Sequence, residues 1–303
     1  MNRYILIFFF IVTYLYSSGD NSQIKLKVKH KKNITEVKLL VKSQMRGIEI
    51  SKLRIEPDYI TNLDVKLNNT SIFNIDNSFY IASNPLFIFK YKSTEKKDLL
   101  EIFITNNKGI VTKSSTIIEE KQLKYIPLSV ESKELNKETN ILKHQIWKAQ
   151  TTEDAIESLY GKINIINTDK ITLRFPEEAN GASVPINIKS TLDLESIAIF
   201  SDGNLRSTIA LITIPPNGII DYRINVKLTE PGLFNLTVIG KGKNGNFYKQ
   251  VKQINSDGGI ICFMSGGGSD EDWKAYCNNK FQTRGKRLKE MLRLENQQNA
   301  LKK

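Results

Sequence analysis

Ile24-Lys25-Leu26-Lys27-Val28-Lys29 alternates an apolar residue with a lysine over six consecutive positions. Only extended backbone sends every second side chain to the same face, so a period of two predicts a strand with one buried and one wet side. Ile34 to Val41 continues the pattern, and Leu63-Asp64-Val65-Lys66-Leu67 repeats it before the turn residues Asn68-Asn69. Phe87-Ile88-Phe89-Lys90-Tyr91 and Leu99 to Thr105 read the same way, and Asn106-Asn107-Lys108-Gly109 is a turn into Ile110-Val111-Thr112. Short strands at this spacing, with polar turns and no helical period, predict an antiparallel β-sandwich over 20–118.

The composition changes at Glu119. Residues 119–145 are polar and charged apart from Tyr125-Ile126-Pro127-Leu128 and are expected to be a linker. A short helix follows: Thr151 caps it, Asp154 stands at the third position, Ala155, Ile156 and Leu159 form one apolar face, and Gly161 ends it. A second β block is expected to fill the rest of 146–256. Ile171, Leu173 and Phe175 alternate, as do Tyr222, Ile224, Val226 and Leu228, and Pro215-Pro216-Asn217-Gly218 is turn chemistry.

Both ends of the chain differ from this body. Asn2-Arg3 and the apolar run from Tyr4 to Tyr16, followed by Ser17-Ser18-Gly19, read as a secretory signal peptide over 1–19. The run is shorter than the ~20 residues that span a bilayer, so no transmembrane segment is expected after cleavage, and a periplasmic location follows. Nucleic acid is then an improbable partner for a chain of net charge +12. Residues 280–303 hold eight Lys or Arg against Glu290 and Glu295, so half of that excess sits in the last 24 residues. The expected counterpart is an acidic protein surface or anionic lipid. From Ser269, the acidic start Asp270-Glu271-Asp272 and the stripe Trp273, Tyr276, Cys277, Phe281 predict a C-terminal helical tail within 257–303.

Conventional catalysis has little to work with. His30 ends a lysine-rich strand and His144 lies in a polar run, and nothing in the sequence brings either to a nucleophile. Metal-ligand spacings, a haem-attachment motif and a phosphate loop are missing from the sequence, so no metal and no cofactor is expected. Glu177-Glu178 is read as a solvated turn rather than an acid–base pair. The remaining reactive group is Cys262, with Gly258-Gly259 before it and Gly266-Gly267-Gly268 after it. Glycines free the backbone on both sides, and a mobile, accessible thiol suits a covalent carrier of a small group. The alternative is an apolar segment, Ile260 to Met264, tucked against a neighbouring surface. Cys277 lies 15 positions on, and a disulfide between the two would be worth ~3 kcal/mol in the chain-entropy model.

More specific pieces lie in the second block. Thr152-Glu153-Asp154-Ala155-Ile156-Glu157-Ser158-Leu159-Tyr160-Gly161 precedes Leu173-Arg174-Phe175-Pro176-Glu177-Glu178-Ala179-Asn180-Gly181-Ala182-Ser183-Val184-Pro185-Ile186. A helix ending in Leu-aromatic-Gly, then a strand, then Pro-x-x-Ala-Asn-Gly and Val-Pro resembles the SoxY sulfur carriers. The first block is similar to their partner SoxZ through Thr35 to Val41, Ser83-Asn84-Pro85-Leu86-Phe87-Ile88-Phe89 and Ser43-Gln44-Met45-Arg46-Gly47. The chain thus looks like a SoxZ–SoxY fusion.

The resemblance implies two immunoglobulin-like sandwiches that pair with each other. It also implies a non-enzymatic carrier whose cysteine holds sulfur intermediates and presents them to haem c and hydrolase components during thiosulfate oxidation. Cys262 is the corresponding residue, on an arm built with Gly258, Gly259, Gly266, Gly267 and Gly268. Two features depart from the family. Ile260-Ile261 and Phe263-Met264-Ser265 separate the cysteine from the glycines, and the chain continues to Lys303 where the family's ends soon after its cysteine. The competing reading is a non-catalytic scaffold of the cell envelope, its thiol consumed in a Cys262–Cys277 disulfide.

Overall fold

The computed structural model describes residues 24–47, 57–92, 98–118, 121–128, 131–134 and 145–257. The first block supplies β1 (Ile24–Lys31), β2 (Ile34–Val41), β3 (Ile60–Leu67), β4 (Thr70–Asn77), β5 (Leu86–Lys92), β6 (Asp98–Asn106), β7 (Ile110–Ile118), β8 (Lys121–Leu128) and β9 (Glu131–Glu134). A 3-10 turn (Gln145–Trp147) and helix α1 (Thr152–Tyr160) follow. The second block adds β10 (Ile165–Asn167), β11 (Ile171–Arg174), β12 (Glu178–Ala179), β13 (Val184–Ser190), β14 (Leu194–Ser201), β15 (Thr208–Thr213), β16 (Gly218–Val226), β17 (Pro231–Gly242) and β18 (Phe247–Asp257).

The all-β architecture is the expected one, and the period-two reading of Ile24–Lys29 holds residue by residue: Ile24, Leu26 and Val28 are fully buried and the intervening lysines are not. The arrangement of the blocks differs from two separate sandwiches. Seven strands form one sheet in the order β11-β13-β16-β5-β2-β1-β8, and the other runs β10-β18-β17-β14-β15-β4-β3-β6-β7-β9, with β12 added against β18. Each sheet contains strands of both blocks. β16 pairs with β5 in the first sheet and β15 with β4 in the second, both antiparallel. One core of buried aliphatic and aromatic side chains lies between the sheets and crosses the join. At the join Phe73 of β4 stacks on Phe89 of β5 with ring centroids 4.4 Å apart, and Tyr222 of β16 lies 5.6 Å from the same ring.

Within the expected linker over 119–145, Lys121–Leu128 and Glu131–Glu134 are strands. β8 pairs with β1 and β9 with β7, so this segment extends one edge of each sheet. Its polarity misleads because an edge strand forms on the free backbone groups of its neighbour and needs no apolar run of its own. The helix is where the sequence puts it. Thr151 Oγ1 accepts the Asp154 N–H at 3.1 Å, and Gly161 ends the helix at φ 72 with its N–H bonded to the Glu157 carbonyl. Ala155 and Ile156 pack with Ile146 and Trp147 on Ala198, Phe200 and Ile239, covering the outer face of the larger sheet. That cover explains why Ile197-Ala198-Ile199-Phe200 is buried without alternation. The expected C-terminal helical tail lies outside the described residues.

Because both sheets cross the join, the described body is expected to unfold as one unit. Phe73→Ala in the first block should lower stability by about 3–5 kcal/mol. In a Trp273→Phe background, urea unfolding followed by Trp147 fluorescence, which reports from the second block, should shift by the same amount as the far-UV signal. An unshifted Trp147 transition would mean that the blocks unfold independently.

Candidate functional site

Cys262, Gly258, Gly259, Gly266, Gly267, Gly268 and Cys277 lie outside the described residues, as does His144. What the structure does place is the base from which the glycine segment departs. β18 runs to Asp257, the residue before Gly258. On one side it pairs with β17 along its whole length, ending at Pro231 opposite Asp257. On the other side the loop Pro176-Glu177-Glu178-Ala179-Asn180-Gly181 closes over its last turnless residues. The Glu177 carbonyl accepts the Asn255 N–H at 2.8 Å, and Glu178 and Ala179 lie parallel to Asn255 and Ser256. The Asp257 carboxylate accepts the Gly181 N–H at 2.9 Å and the Asn180 amide at 3.3 Å. Glu177-Glu178 therefore acts through its backbone, and the loop holds the foot of the segment at three consecutive residues, Asn255, Ser256 and Asp257.

A second cluster lies at the join between the blocks. Ser78 to Ala82 crosses from β4 to β5 and is buried throughout. The Ser78 N–H and hydroxyl both donate to the Ile209 carbonyl at 2.9 Å, the Ala82 N–H donates to the Asn225 carbonyl, and Ile81 bridges Val226. Lys227 donates its ammonium to the carbonyls of Met45 at 2.7 Å and Phe79 at 3.2 Å, while its backbone N–H reaches the Tyr80 carbonyl. Met45 is fully buried at φ 50. At Gly47 a Cβ would lie 2.2 Å from the Phe79 ring, so the Met45–Gly47 turn needs both its odd backbone and its missing side chain.

Residues 227–231 connect the two clusters. The Lys227 carbonyl accepts from the Asn204 amide at 3.0 Å, the Leu228 N–H donates to the Gly181 carbonyl at 2.8 Å, and the Thr229 N–H donates to Asn204 Oδ1 at 3.0 Å. Five residues thus run from the join to the foot of β18, the first four tied by hydrogen bonds and Pro231 placed opposite Asp257. Among the described residues, no group of three or more His, Cys, Asp or Glu side chains is placed to hold a metal ion. His30 faces Thr35 within the β1–β2 hairpin, its Nδ1 2.5 Å from Thr35 Oγ1.

Two family models match in tandem: Sulphur oxidation protein SoxZ over residues 24–116, and Sulfur oxidation protein SoxY over residues 156–260. The chain belongs to the SoxZ and SoxY families, joined in that order. No curated protein matches it. Among solved structures, the sulfur carrier protein SoxY from Chlorobium limicola f thiosulfatophilum aligns at 24% identity over 34% of this chain and 94% of that one, with a TM-score of 0.31. Superoxide reductase (neelaredoxin) from Ignicoccus hospitalis aligns at 14% identity over 29% and 81%, with a TM-score of 0.26. The fibronectin(III)-like modules of Clostridium thermocellum CbhA align at 10% over 78% and 94%, with a TM-score of 0.23.

In these terms the join is the contact between a SoxZ-type and a SoxY-type half, and the fastened loop is the Pro-x-x-Ala-Asn-Gly of the SoxY-type half. Sequence reading found Met45, Gly47 and this loop as family signatures. It missed Lys227 and Asp257, because a lone lysine or aspartate at a strand end carries no local signal.

Asp257→Ala should release the Gly181 amide. Hydrogen exchange at Gly181 and at Asn255 to Asp257 is expected to speed up by an amount equivalent to about 1 kcal/mol of local stability, with exchange in β5 and β16 unchanged. Faster exchange throughout the body would show that Asp257 supports the fold as a whole rather than the foot of β18.

The join also carries a pH-sensitive pair. Lys90 of the SoxZ-type half lies 2.6 Å from Asp221 of the SoxY-type half, and Lys189 lies 3.2 Å from the same carboxylate. The hydrogen bond to Asp221 raises the Lys90 ammonium above its ordinary range. Burial alone would push the Asp221 carboxyl up, but the bond and charge of Lys90, with bonds from Lys189 and Asn187, hold it below the usual 3.8. A carboxyl depressed in the folded state adds stability above its unfolded pKa and loses it as pH falls through the folded one. Asp221→Asn should therefore cost on the order of 1 kcal/mol at neutral pH and flatten the acid loss below about pH 4. Urea unfolding at neutral pH and on the acid limb checks this; parallel acid limbs in both proteins would remove the pair from the account.

Proposed function

We propose that the protein is an exported carrier of sulfur intermediates, made of two immunoglobulin-like halves, with Cys262 as the attachment site and no turnover of its own. The observation that carries this reading is the tandem SoxZ and SoxY match, whose SoxY part runs through β18 to the glycines before Cys262. The fastened foot of β18 fits the role. A carrier needs a rigid base, so that the reach of its thiol is set by the segment beyond and not by fraying of the body. The signal-like N-terminus supports export to the periplasm, where haem c and hydrolase components of sulfur oxidation would be the partners.

Attachment has to balance. Joining the Cys262 thiolate to the outer sulfur of thiosulfate forms an S–S bond and releases two electrons, which an electron acceptor such as a haem c partner must take up. Hydrolysis of the terminal sulfonate would then leave a sulfane sulfur on the cysteine and release sulfate.

Intact-mass analysis after incubation with thiosulfate and an oxidising haem c partner tests the reading. The expected result is one thiosulfate-derived adduct, mapped to Cys262 and lost in Cys262→Ser. An adduct elsewhere, or none, overturns it, and a Cys262–Cys277 disulfide in the exported protein would do so by removing the nucleophile.

A further inference from the structure

The outer face of the seven-stranded sheet is ordered by charge. Following the register across six strands, Lys27 lies opposite Lys38, Lys38 opposite Ile88, Ile88 opposite Arg223, Arg223 opposite Asn187 and Asn187 opposite Arg174. This is one continuous row, about 24 Å long at the usual ~4.8 Å strand spacing, with four cations and no carboxylate. It crosses the join, with two lysines on the SoxZ-type half and two arginines on the SoxY-type half.

The rows on either side differ from it. On one side Lys29, Glu36, Lys90, Asp221 and Lys189 alternate in sign, and Lys90 and Lys189 pair with Asp221. That row neutralises most of its own charge. On the other side Lys25 faces Leu40, Leu40 faces Leu86 and Pro185 faces Asn225, so the neighbouring row is half-buried and apolar at Leu40, Leu86 and Pro185. The cation row lies between them. Arg174 and Arg223 are exposed and have no carboxylate partner among the described residues.

Ion pairing within the described residues accounts for Lys38, through Glu36, but not for the two exposed arginines, Arg174 and Arg223. Among the described residues, Lys38 of the row shares Glu36 with Lys90 of the neighbouring row, and Asp221 is held by Lys90 and Lys189.

The geometry points to this face as a docking surface for an acidic patch on another protein. Carboxylates suit it: a guanidinium receives a carboxylate through two parallel hydrogen bonds, and the row offers two of them with lysines beyond. The apolar row alongside matches the mixture of apolar centre and charged margin found in protein interfaces. A lipid surface fits less well, because Leu40, Leu86 and Pro185 are half-buried and offer little to insert between acyl chains. A bare polyanion would leave the apolar row uncovered. The surface is independent of Cys262 and stands whether or not the thiol carries sulfur.

The test uses the full-length protein in a Cys262→Ser background, with ~20-residue poly-L-glutamate as the acidic probe and two comparison ligands, inorganic polyphosphate and phosphatidylglycerol vesicles. The triple variant Lys38→Gln, Arg174→Gln, Arg223→Gln is compared with a charge-matched control on exposed lysines elsewhere, Lys148→Gln, Lys162→Gln, Lys243→Gln. The row variant should lose at least about five-fold in poly-glutamate affinity beyond the control, with a shallower salt dependence, and should unfold at no lower temperature than the parent. Equal losses in the two variants would assign binding to overall charge and overturn the proposal. So would a row variant of clearly lower melting temperature, which would make the row structural. A row effect larger for polyphosphate or for vesicles than for poly-glutamate would overturn the choice of an acidic protein as the partner.

Discussion

Two strand pairings hold the molecule together. β4 with β15 and β5 with β16 each join a strand of the first block to one of the second, one pairing in each sheet. Cut apart there, each block would present two strands with unpaired N–H and C=O groups, the kind of edge that templates aggregation. Paired, those groups are satisfied and the core runs on beneath them. The aromatic cluster of Phe73, Phe89 and Tyr222 and the buried Ser78–Ala82 crossing carry the core across the join. A SoxZ-type and a SoxY-type half are here neighbouring parts of one pair of sheets, and the covalent link keeps each half at high effective concentration for the other.

The same pairing gives the SoxY-type glycine segment a fixed origin. Lys227 binds carbonyls of the SoxZ-type half, the residues after it bind Gly181 and Asn204, and the strand they lead into pairs with Asp257. The foot of β18 is thus held partly by groups that are in place only when the two halves are joined. In this arrangement the SoxZ-type half helps to position the foot of β18.

Much of this was legible in the sequence, and the reasons are local. Alternation at Ile24–Lys29 needs only the two faces of a strand, and the Thr151 cap with Asp154 needs only one helical turn. The illegible parts depend on distant partners. β9 is Glu-Ser-Lys-Glu and carries no apolar signal at all; it is a strand because β7 offers an edge to it. Ile197 to Phe200 does not alternate because α1 covers what would otherwise be its wet face. The Pro176–Gly181 stretch could be recognised as a family signature, but its work of fastening residues 255–257 follows from a contact 76 residues away, between Gly181 and Asp257. The charge row could not be seen either, since its members come from six strands whose register only the folded sheet fixes.

The join also imposes an order in time. Ser78 and Ile209, which meet across it, are 131 residues apart in the chain. A chain that emerges from its N-terminus presents the first block before the strands that complete its sheets are available. During that interval β4 and β5 are open edges. Both carry the residues that blunt such edges: Asn74, Asp76 and Asn77 on β4, and Lys90 and Lys92 on β5. Lys90 later becomes an interblock ion-pair partner. Before that it serves as a guard, keeping a half-made protein from pairing with another copy of itself.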